Sequence, residues 1–478
     1  MSRRFLKMPL ERDLAIYSER RGWGKHMDGN YMDKKNIRID IPEKAKYIIE
    51  TIRNAGFEAY VVGGCVRDSI LGRNPEDWDI TTSASPDQVK GLFSRTIDTG
   101  IAHGTVTVML GKEGFEVTTY RIDGKYEDSR HPKEVIFTPN LEEDLKRRDF
   151  TINAMAYNET DGLVDIFGGL EDIEKKVIRC VGRAEERFTE DALRIMRAVR
   201  FSAQLGYSIE EETREAIRSL AGRLKNISAE RIQVELVKLM TSPHPDTLRV
   251  AYELGITAVI LPEFDRMMDT PQNNPHHKYN VGEHTLYSLL QVESHKNLRL
   301  AMLFHDFGKA LTRSTDEQGI DHFYGHGEVS EELTRKVLRR LRFDNDTIYV
   351  VTKLAKYHDC VGTDEPTMRM VRRAVNKVGE DIFPLLFPVC RADVLAQSDY
   401  MQQEKLANLE KWEELYKQIV EEKQCVSLKT LAVTGSDLIA AGWQPGKELG
   451  QVLNRLLDLV LEDPTLNKKE KLLEIAKQ

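Results

Sequence analysis

Between Tyr60 and Thr82 the chain reads as an apolar strand, a Gly63-Gly64 turn, a short helix carrying Arg67, and a second strand carrying Asp77 and Asp79. Few folds accommodate that succession. Two glycines between strand and helix let backbone N–H groups approach a phosphate closely, and the helix N-terminus behind them favours negative charge. Arg67 adds a planar fork of donors suited to phosphate oxygens. Side chains alternate along a strand, so Asp77 and Asp79 are expected on one face. Carboxylates that close repel each other unless a cation lies between them. Mg²⁺ takes such oxygen ligands and shares them with substrate phosphates. A glycine pair alone is commonly structural and a DxD alone is commonly a solvated pair. In this order and spacing they read together as a Mg²⁺–nucleotide site.

Composition narrows what surrounds that site. With 478 residues, 41 % of them hydrophobic, the chain can build several domains and more than one core. A net charge of −8 argues against a generalised polyanion-binding surface, so any nucleic-acid contact must use local basic patches. The five cysteines (65, 180, 360, 390 and 425) show no CxxC or paired spacing, which predicts reduced thiols. No apolar run approaches the roughly 18 residues of a membrane span, and the N-terminus has no apolar signal region. The expectation is a soluble cytoplasmic protein.

These residues resemble the head of the class II nucleotidyltransferases, the DNA-polymerase-beta-like superfamily that includes CCA-adding tRNA nucleotidyltransferases and bacterial poly(A) polymerases. The rest of the head extends the likeness. Thr99-Gly100-Ile101-Ala102-His103-Gly104-Thr105-Val106 is similar to the CCA-adding form of its strand, where poly(A) polymerases usually carry an arginine-rich one. Glu116, on a neighbouring strand, is either a third metal-facing carboxylate or an exposed strand residue. The polar stretch 121–134 is similar to the flexible loop that CC-adding enzymes lack, with Ser129 and His131 where the family often has Gly and a second Arg. Arg147-Arg148-Asp149-Phe150-Thr151-Ile152-Asn153-Ala154 matches a family signature. The resemblance implies that Gly64, Arg67 and Arg148 bind nucleotide phosphates.

From Glu171 onward the apolar spacing is helical. In Phe188–Phe201, Asp191 and Arg194, Arg194 and Arg197, and Arg197 and Arg200 are three apart, which would line them along one helix face. Cytosine and adenine both present an exocyclic amino donor beside a ring-nitrogen acceptor. An aspartate accepting from the amino group and an arginine donating to the ring nitrogen would admit CTP and ATP and repel UTP and GTP. Asp191 and Arg194 resemble the family's base-reading pair, with Arg197 and Arg200 supporting the nucleotide or the helix face. The alternative is a salt-bridged solvent face. The stretch Ile227–Leu236, with a Ser228 cap, matches the family's neck motif and is read as structural.

A second constellation follows: His284, His305-Asp306, His326, His358 and Asp393. An adjacent His-Asp pair can share one divalent metal, and the others could complete a one- or two-metal hydrolytic site. The wording around His305-Asp306 is similar to the HD phosphohydrolase superfamily. Arg335, Lys336, Arg339, Arg340 and Arg342, and separately Arg369, Arg372, Arg373 and Lys377, form basic helix faces, either solvated or a track for tRNA phosphates.

The likeness implies an α+β chain with a polymerase-beta-like mixed-sheet head and all-helical neck, body/HD and tail domains. The expected divisions are an extension at 1–40, the head at 41–170, a base-reading neck at 171–275, the HD domain at 276–395 and a tRNA-contacting tail at 396–478. It implies template-independent addition of CCA, or part of it, to the 3′ end of tRNA from CTP and ATP. Asp77 and Asp79 would be catalytic and hold two Mg²⁺ ions, with a second divalent site in the HD domain and no membrane partner. The rivals are an A-adding or CC-adding enzyme, a poly(A) polymerase, and an HD phosphohydrolase with an RNA-binding head.

Overall fold

The computed structural model describes residues 34–124, 135–361 and 365–477. Most of the expected N-terminal extension and residues 125–134 of the loop at 121–134 lie outside the described residues.

Nine head strands are β1 (Ala59–Val62), β2 (Ile80–Thr82), β3 (Thr96–Gly100), β4 (Thr105–Leu110), β5 (Glu113–Thr119), β6 (Arg121–Asp123), β7 (Val135–Phe137), β8 (Met155–Asn158) and β9 (Gly162–Asp165). Seven form one mixed sheet in the order β3-β4-β5-β2-β1-β8-β9. Only β2 and β5 run parallel in it. β6 and β7 make a separate antiparallel pair. The Glu43–Asn54 helix packs on β1 and buries Ile48, Ile49 and Ile52, which its apolar spacing places on one face. Each such side chain contributes roughly 1.5–3 kcal/mol of burial.

Asp77 and Asp79 depart from expectation. They sit just before β2, which begins only at Ile80. Val61 faces Ile80 across the β1–β2 ladder, and Val62 N–H still donates to the Asp79 carbonyl at 3.0 Å. There β1 ends: Gly63 turns with φ +85° and sends its N–H to Met155 O instead. Trp78 and Asp77 then have no β1 residue opposite them, so the DxD occupies irregular backbone at the mouth of the sheet.

Beyond Gly169 the described chain is almost wholly helical. A continuous apolar core runs from the head through the helices to Val426. The last helices gather a separate cluster around Leu438, Leu456, Val460 and Leu472. All five cysteines are free. No described helix is long and apolar enough to cross a membrane.

Candidate active site

The glycine turn and the Arg147–Asp149 segment face each other across the end of β1. A Cβ placed on Gly63 would lie 3.2 Å from Nη1 of Arg148. Arg148 leans on Asp144 (Nη2 to Oδ2, 3.2 Å), and its Nε is buried without a hydrogen-bond partner. Asp144 itself is fully buried. It accepts from Arg147 at 2.7 and 3.0 Å and from the Thr81 hydroxyl at 3.1 Å, which ties both arginines to β2. Burial alone would raise its carboxyl, but Arg147 and then Arg148 hold it below the ordinary value.

Arg67 is less available than the sequence suggests. Its Nε and Nη2 donate to Asp68 at 2.9 and 2.8 Å and its Nη1 donates to Asn153 at 2.6 Å. It is buried, and its guanidinium lies 5.0 Å from the Phe201 ring centroid. In this arrangement it braces the turn from behind.

The parallel register pairs Ile80 with Val117, so one residue earlier Asp79 lies beside Glu116. Crowding by protein atoms raises the Asp79 carboxyl above its ordinary value. Arg148 opposes that rise, while Glu116 and Asp77 add to it. Glu116 and Asp77 thus add their negative charge to that of Asp79 on an exposed edge, and all three are hard oxygen donors of the kind a divalent cation takes.

Asp149 links this segment to the helices. It is buried, takes Phe150 N–H at 2.8 Å, and receives Nε and Nη2 of Arg197 at 2.6 and 2.5 Å. Burial would raise its carboxyl, but Arg197 and then Arg194 bring it down to about 2.

Asp191, Arg194, Arg197 and Arg200 do not share one uninterrupted helix face. Helices Ala184–Glu190 and Leu193–Leu205 break between them, with Asp191 extended at φ −135°, ψ 104°. Asp191 Oδ1 accepts the Leu193 N–H at 3.0 Å, a bond to the first residue of the second helix. Its ion-pair partner is Arg231 rather than Arg194. Arg194 donates to Glu190 at 2.5 Å and to the carbonyls of Arg187 and Arg147 at 3.1 and 2.8 Å. That places it beside the Arg147–Asp149 segment. Arg200 is buried, paired with Glu235 at 2.7 Å and stacked 3.6 Å over Phe201, so it braces the helix instead of facing a ligand.

The six HD residues do converge. His284 and His305 approach Asp393 Oδ1 at 2.7 and 3.6 Å, and His305 and His358 approach Asp306 at 3.2 and 3.5 Å. His326 Nε2 is 3.3 Å from His358 Nε2. The rings of His305, His326 and His358 each bond through Nδ1 to the carbonyl three residues back, Met302, Phe323 and Ala355, at 2.7, 2.9 and 2.8 Å. Such bonds place the proton on Nδ1 and turn the Nε2 lone pairs toward one another. Neither oxygen of Asp306 accepts a hydrogen bond of ordinary geometry, although Lys309 Nζ lies 2.8 Å away. Asp359 joins His326 and His358 as a further carboxylate. Sequence reasoning passed over it, though His358-Asp359 is a second adjacent His-Asp pair.

The basic faces are largely committed within the chain. Arg335 and Lys336 pair with Glu331 and Glu332 on their own helix, and Arg340 makes a two-pronged bond to Glu263. Arg369 and Arg373 both hold Glu462, while buried Arg372 donates to the carbonyls of Leu461 and Glu462 at 2.8 and 3.0 Å. That second face docks the tail.

Comparison with known proteins bears on the family and the fold. The Poly A polymerase head domain family matches residues 59–179, the family described as a probable RNA and SrmB-binding site of polymerase A matches 206–268, and a putative tRNA nucleotidyltransferase domain 2 matches 311–476. The CCA-adding enzyme of Lactobacillus helveticus is 36 % identical over 436 residues, covering 89 % of this chain and 95 % of that protein. That of Levilactobacillus brevis is 38 % identical over 427 residues, with 89 % and 95 % covered. The crystal structure of the Bacillus stearothermophilus CCA-adding enzyme in complex with CTP superposes with a TM-score of 0.66 at 28 % identity, covering 91 % of this chain and 96 % of that one.

Proposed function

The chain belongs to the CCA-adding enzymes, and we propose how its own residues carry that reaction, the template-independent addition of CCA to the 3′ end of tRNA from CTP and ATP. In each cycle the terminal 3′ hydroxyl attacks the α-phosphorus of the nucleotide, the bond to the β-phosphate breaks, and pyrophosphate leaves. Asp77 and Asp79, with Glu116 beside them, would hold Mg²⁺. The donor set fits: hard oxygens, and an Asp79 carboxyl raised by crowding and then by the like charges of Glu116 and Asp77. When bound, the metal supplies activation of the attacking hydroxyl and charge relief on the triphosphate and leaving group.

The protein's own part is positioning and electrostatics. The observation that carries the reading is the meeting of Gly63 with Arg148, next to Asp79. The Gly63-Gly64 backbone and Arg148, with its unpartnered buried Nε, receive the phosphates, while Arg67 holds the turn through Asn153. Asp191 accepts the exocyclic amino group of cytosine or adenine and Arg194 donates to the ring nitrogen. The wrong base leaves both unpaired, a strong ground for discrimination. Arg197 fixes Asp149, and through it the Arg147–Arg148 segment, against the base-reading helix. The test is incubation with tRNAs ending before CCA, after C and after CC, with CTP and ATP supplied separately. Full CCA addition requires C on the first two and A on the third. In an Asp191→Ala, Arg194→Ala enzyme, selection should relax toward UTP and GTP, and an unchanged preference would defeat the base-reading assignment.

A second reading concerns the HD cluster. His284, His305, Asp306, His326, His358 and Asp393, with Asp359, would hold a divalent metal centre that hydrolyses phosphate esters. Its support is the inward set of Nε2 atoms together with the two Asp306 oxygens that accept no hydrogen bond. Metal-dependent phosphate release from a simple ester, set against label transfer from CTP, separates this activity from nucleotide addition.

A further inference from the structure

We propose that Arg231, on the Ala229–Met240 helix, is a positioning residue for base choice: its fork holds the Asp191 carboxylate so that one acceptor site is left for the incoming base. This rests on the reading of Asp191 as the group that recognises the exocyclic amine. Arg231 reaches Asp191 with both terminal nitrogens, Nη2 to Oδ2 at 2.7 Å and Nη1 to Oδ1 at 3.3 Å. Oδ1 also takes the Leu193 N–H at 3.0 Å. A carboxylate offers about four lone-pair sites, two on each oxygen. Oδ1 is then full, and Oδ2 keeps one acceptor site, the complement of one exocyclic N–H of cytosine or adenine.

A two-pronged guanidinium fixes the carboxylate plane as well as its charge, which a lysine ammonium cannot do. Asp191 needs that help because it lies in the extended break between two helices and not on a helix face. The helix that carries Arg231 is anchored one turn later, where Glu235 holds buried Arg200 at 2.7 Å. Two ion pairs of opposite sense, Asp191 with Arg231 and Arg200 with Glu235, therefore set this helix against the base-reading one. Arg231 is 40 residues from Asp191 in sequence, within a segment that reads as structural.

The experiment measures kcat/KM for CTP and for UTP on a tRNA ending before CCA, in the wild type, Arg231→Lys, Arg231→Gln, Asp191→Ala and the Arg231→Lys/Asp191→Ala double variant, with melting curves for each. Losing one oriented hydrogen bond should lower the CTP-to-UTP ratio about tenfold in both Arg231 variants. The double variant should match Asp191→Ala alone, since the fork acts only through that carboxylate. Either Arg231 variant that folds suffices, and Arg231→Lys keeps the charge that favours folding. If Asp191→Ala relaxes the ratio while the Arg231 variants keep it and merely melt earlier, Arg231 is a structural brace and the proposal falls. If Asp191→Ala itself leaves the ratio unchanged, the base-reading assignment fails and takes this one with it.

Discussion

Gly63 and Arg148 stand so close that any side chain on the glycine would begin 3.2 Å from the arginine's Nη1. The turn that ends β1 and the segment that follows the Leu141–Lys146 helix are thereby made one surface. Asp79 shares in it, since the Arg148 guanidinium opposes the rise of its carboxyl.

Gly63→Ala should harm both fold and site. At φ +85° and ψ −128° an alanine is strained, at a cost of roughly 1–3 kcal/mol, and its methyl displaces Arg148. The expected result is a lower Tm together with a raised KM for CTP. A lower Tm with KM unmoved would remove Arg148 from the phosphate site.

Asp79→Asn should separate stability from activity. Nucleotide transfer falls by roughly three orders of magnitude, equivalent to about 4 kcal/mol of transition-state stabilisation. Stability does not fall with it. The carboxyl is raised in the folded state by crowding, Glu116 and Asp77, so the neutral amide relieves a cost already present at pH 7. Urea melts of the variant should match the wild type or exceed it.

Asp149 gives a pH signature. Its folded carboxyl lies at about 2 against an ordinary 3.8, because Arg197 and Arg194 outweigh its burial. The depressed value adds stability above pH 3.8 that is lost as pH falls toward 2, about 2 kcal/mol in all. The gap in unfolding free energy between wild type and Asp149→Asn should therefore narrow between about pH 6 and pH 3. A gap constant over that range would show that the aspartate acts by shape and not by charge.

The HD cluster is checked by elemental analysis. Protein loaded with Mn²⁺ and desalted should retain the metal in the wild type and in Asp79→Asn, and lose it in Asp306→Asn. Retention by the Asp306 variant would mean that the two Asp306 oxygens, neither of which accepts a hydrogen bond of ordinary geometry, serve no metal.

Arg372 tests what the second basic face is for. Its donors end on the last carbonyls of the Lys447–Glu462 helix, groups that a helix leaves unpaired. Arg372→Ala should speed limited proteolysis within residues 427–476, where the separate tail cluster lies. Weaker tRNA binding with no change in proteolysis would return this face to RNA.

The polymerase-like site was legible where its chemistry lies in short runs. Gly63-Gly64, Asp77 with Asp79, and Arg147-Arg148-Asp149 each lie within a few residues, and the six HD residues stood out by residue type. Asp144, the buried anchor of both arginines, gave no such signal, since an acid in a charged helix is ordinary. By sequence alone Arg231 reads as scaffold and Asp359 as a mere neighbour of His358. For the basic faces both readings stay open: Arg335 and Lys336 have partners one turn away on their own helix, whereas Glu263 and Glu462 are far away in sequence, and pairing across that distance has no local trace.

What the residues fixed unaided was the sequence of elements and the identity of the chemistry: periodicity and turn residues act over one or two turns of chain, and so do metal-like and phosphate-like motifs. What only the folded molecule decided was who faces whom. Strand register set Asp79 beside Glu116, the break at Asp191 moved it from a helix face to an extended link between two helices, and a helix 40 residues on supplied its guanidinium partner. Such pairings are settled by the packing of distant segments, where burial compels each charge to find a counter-charge, and no local pattern encodes that choice.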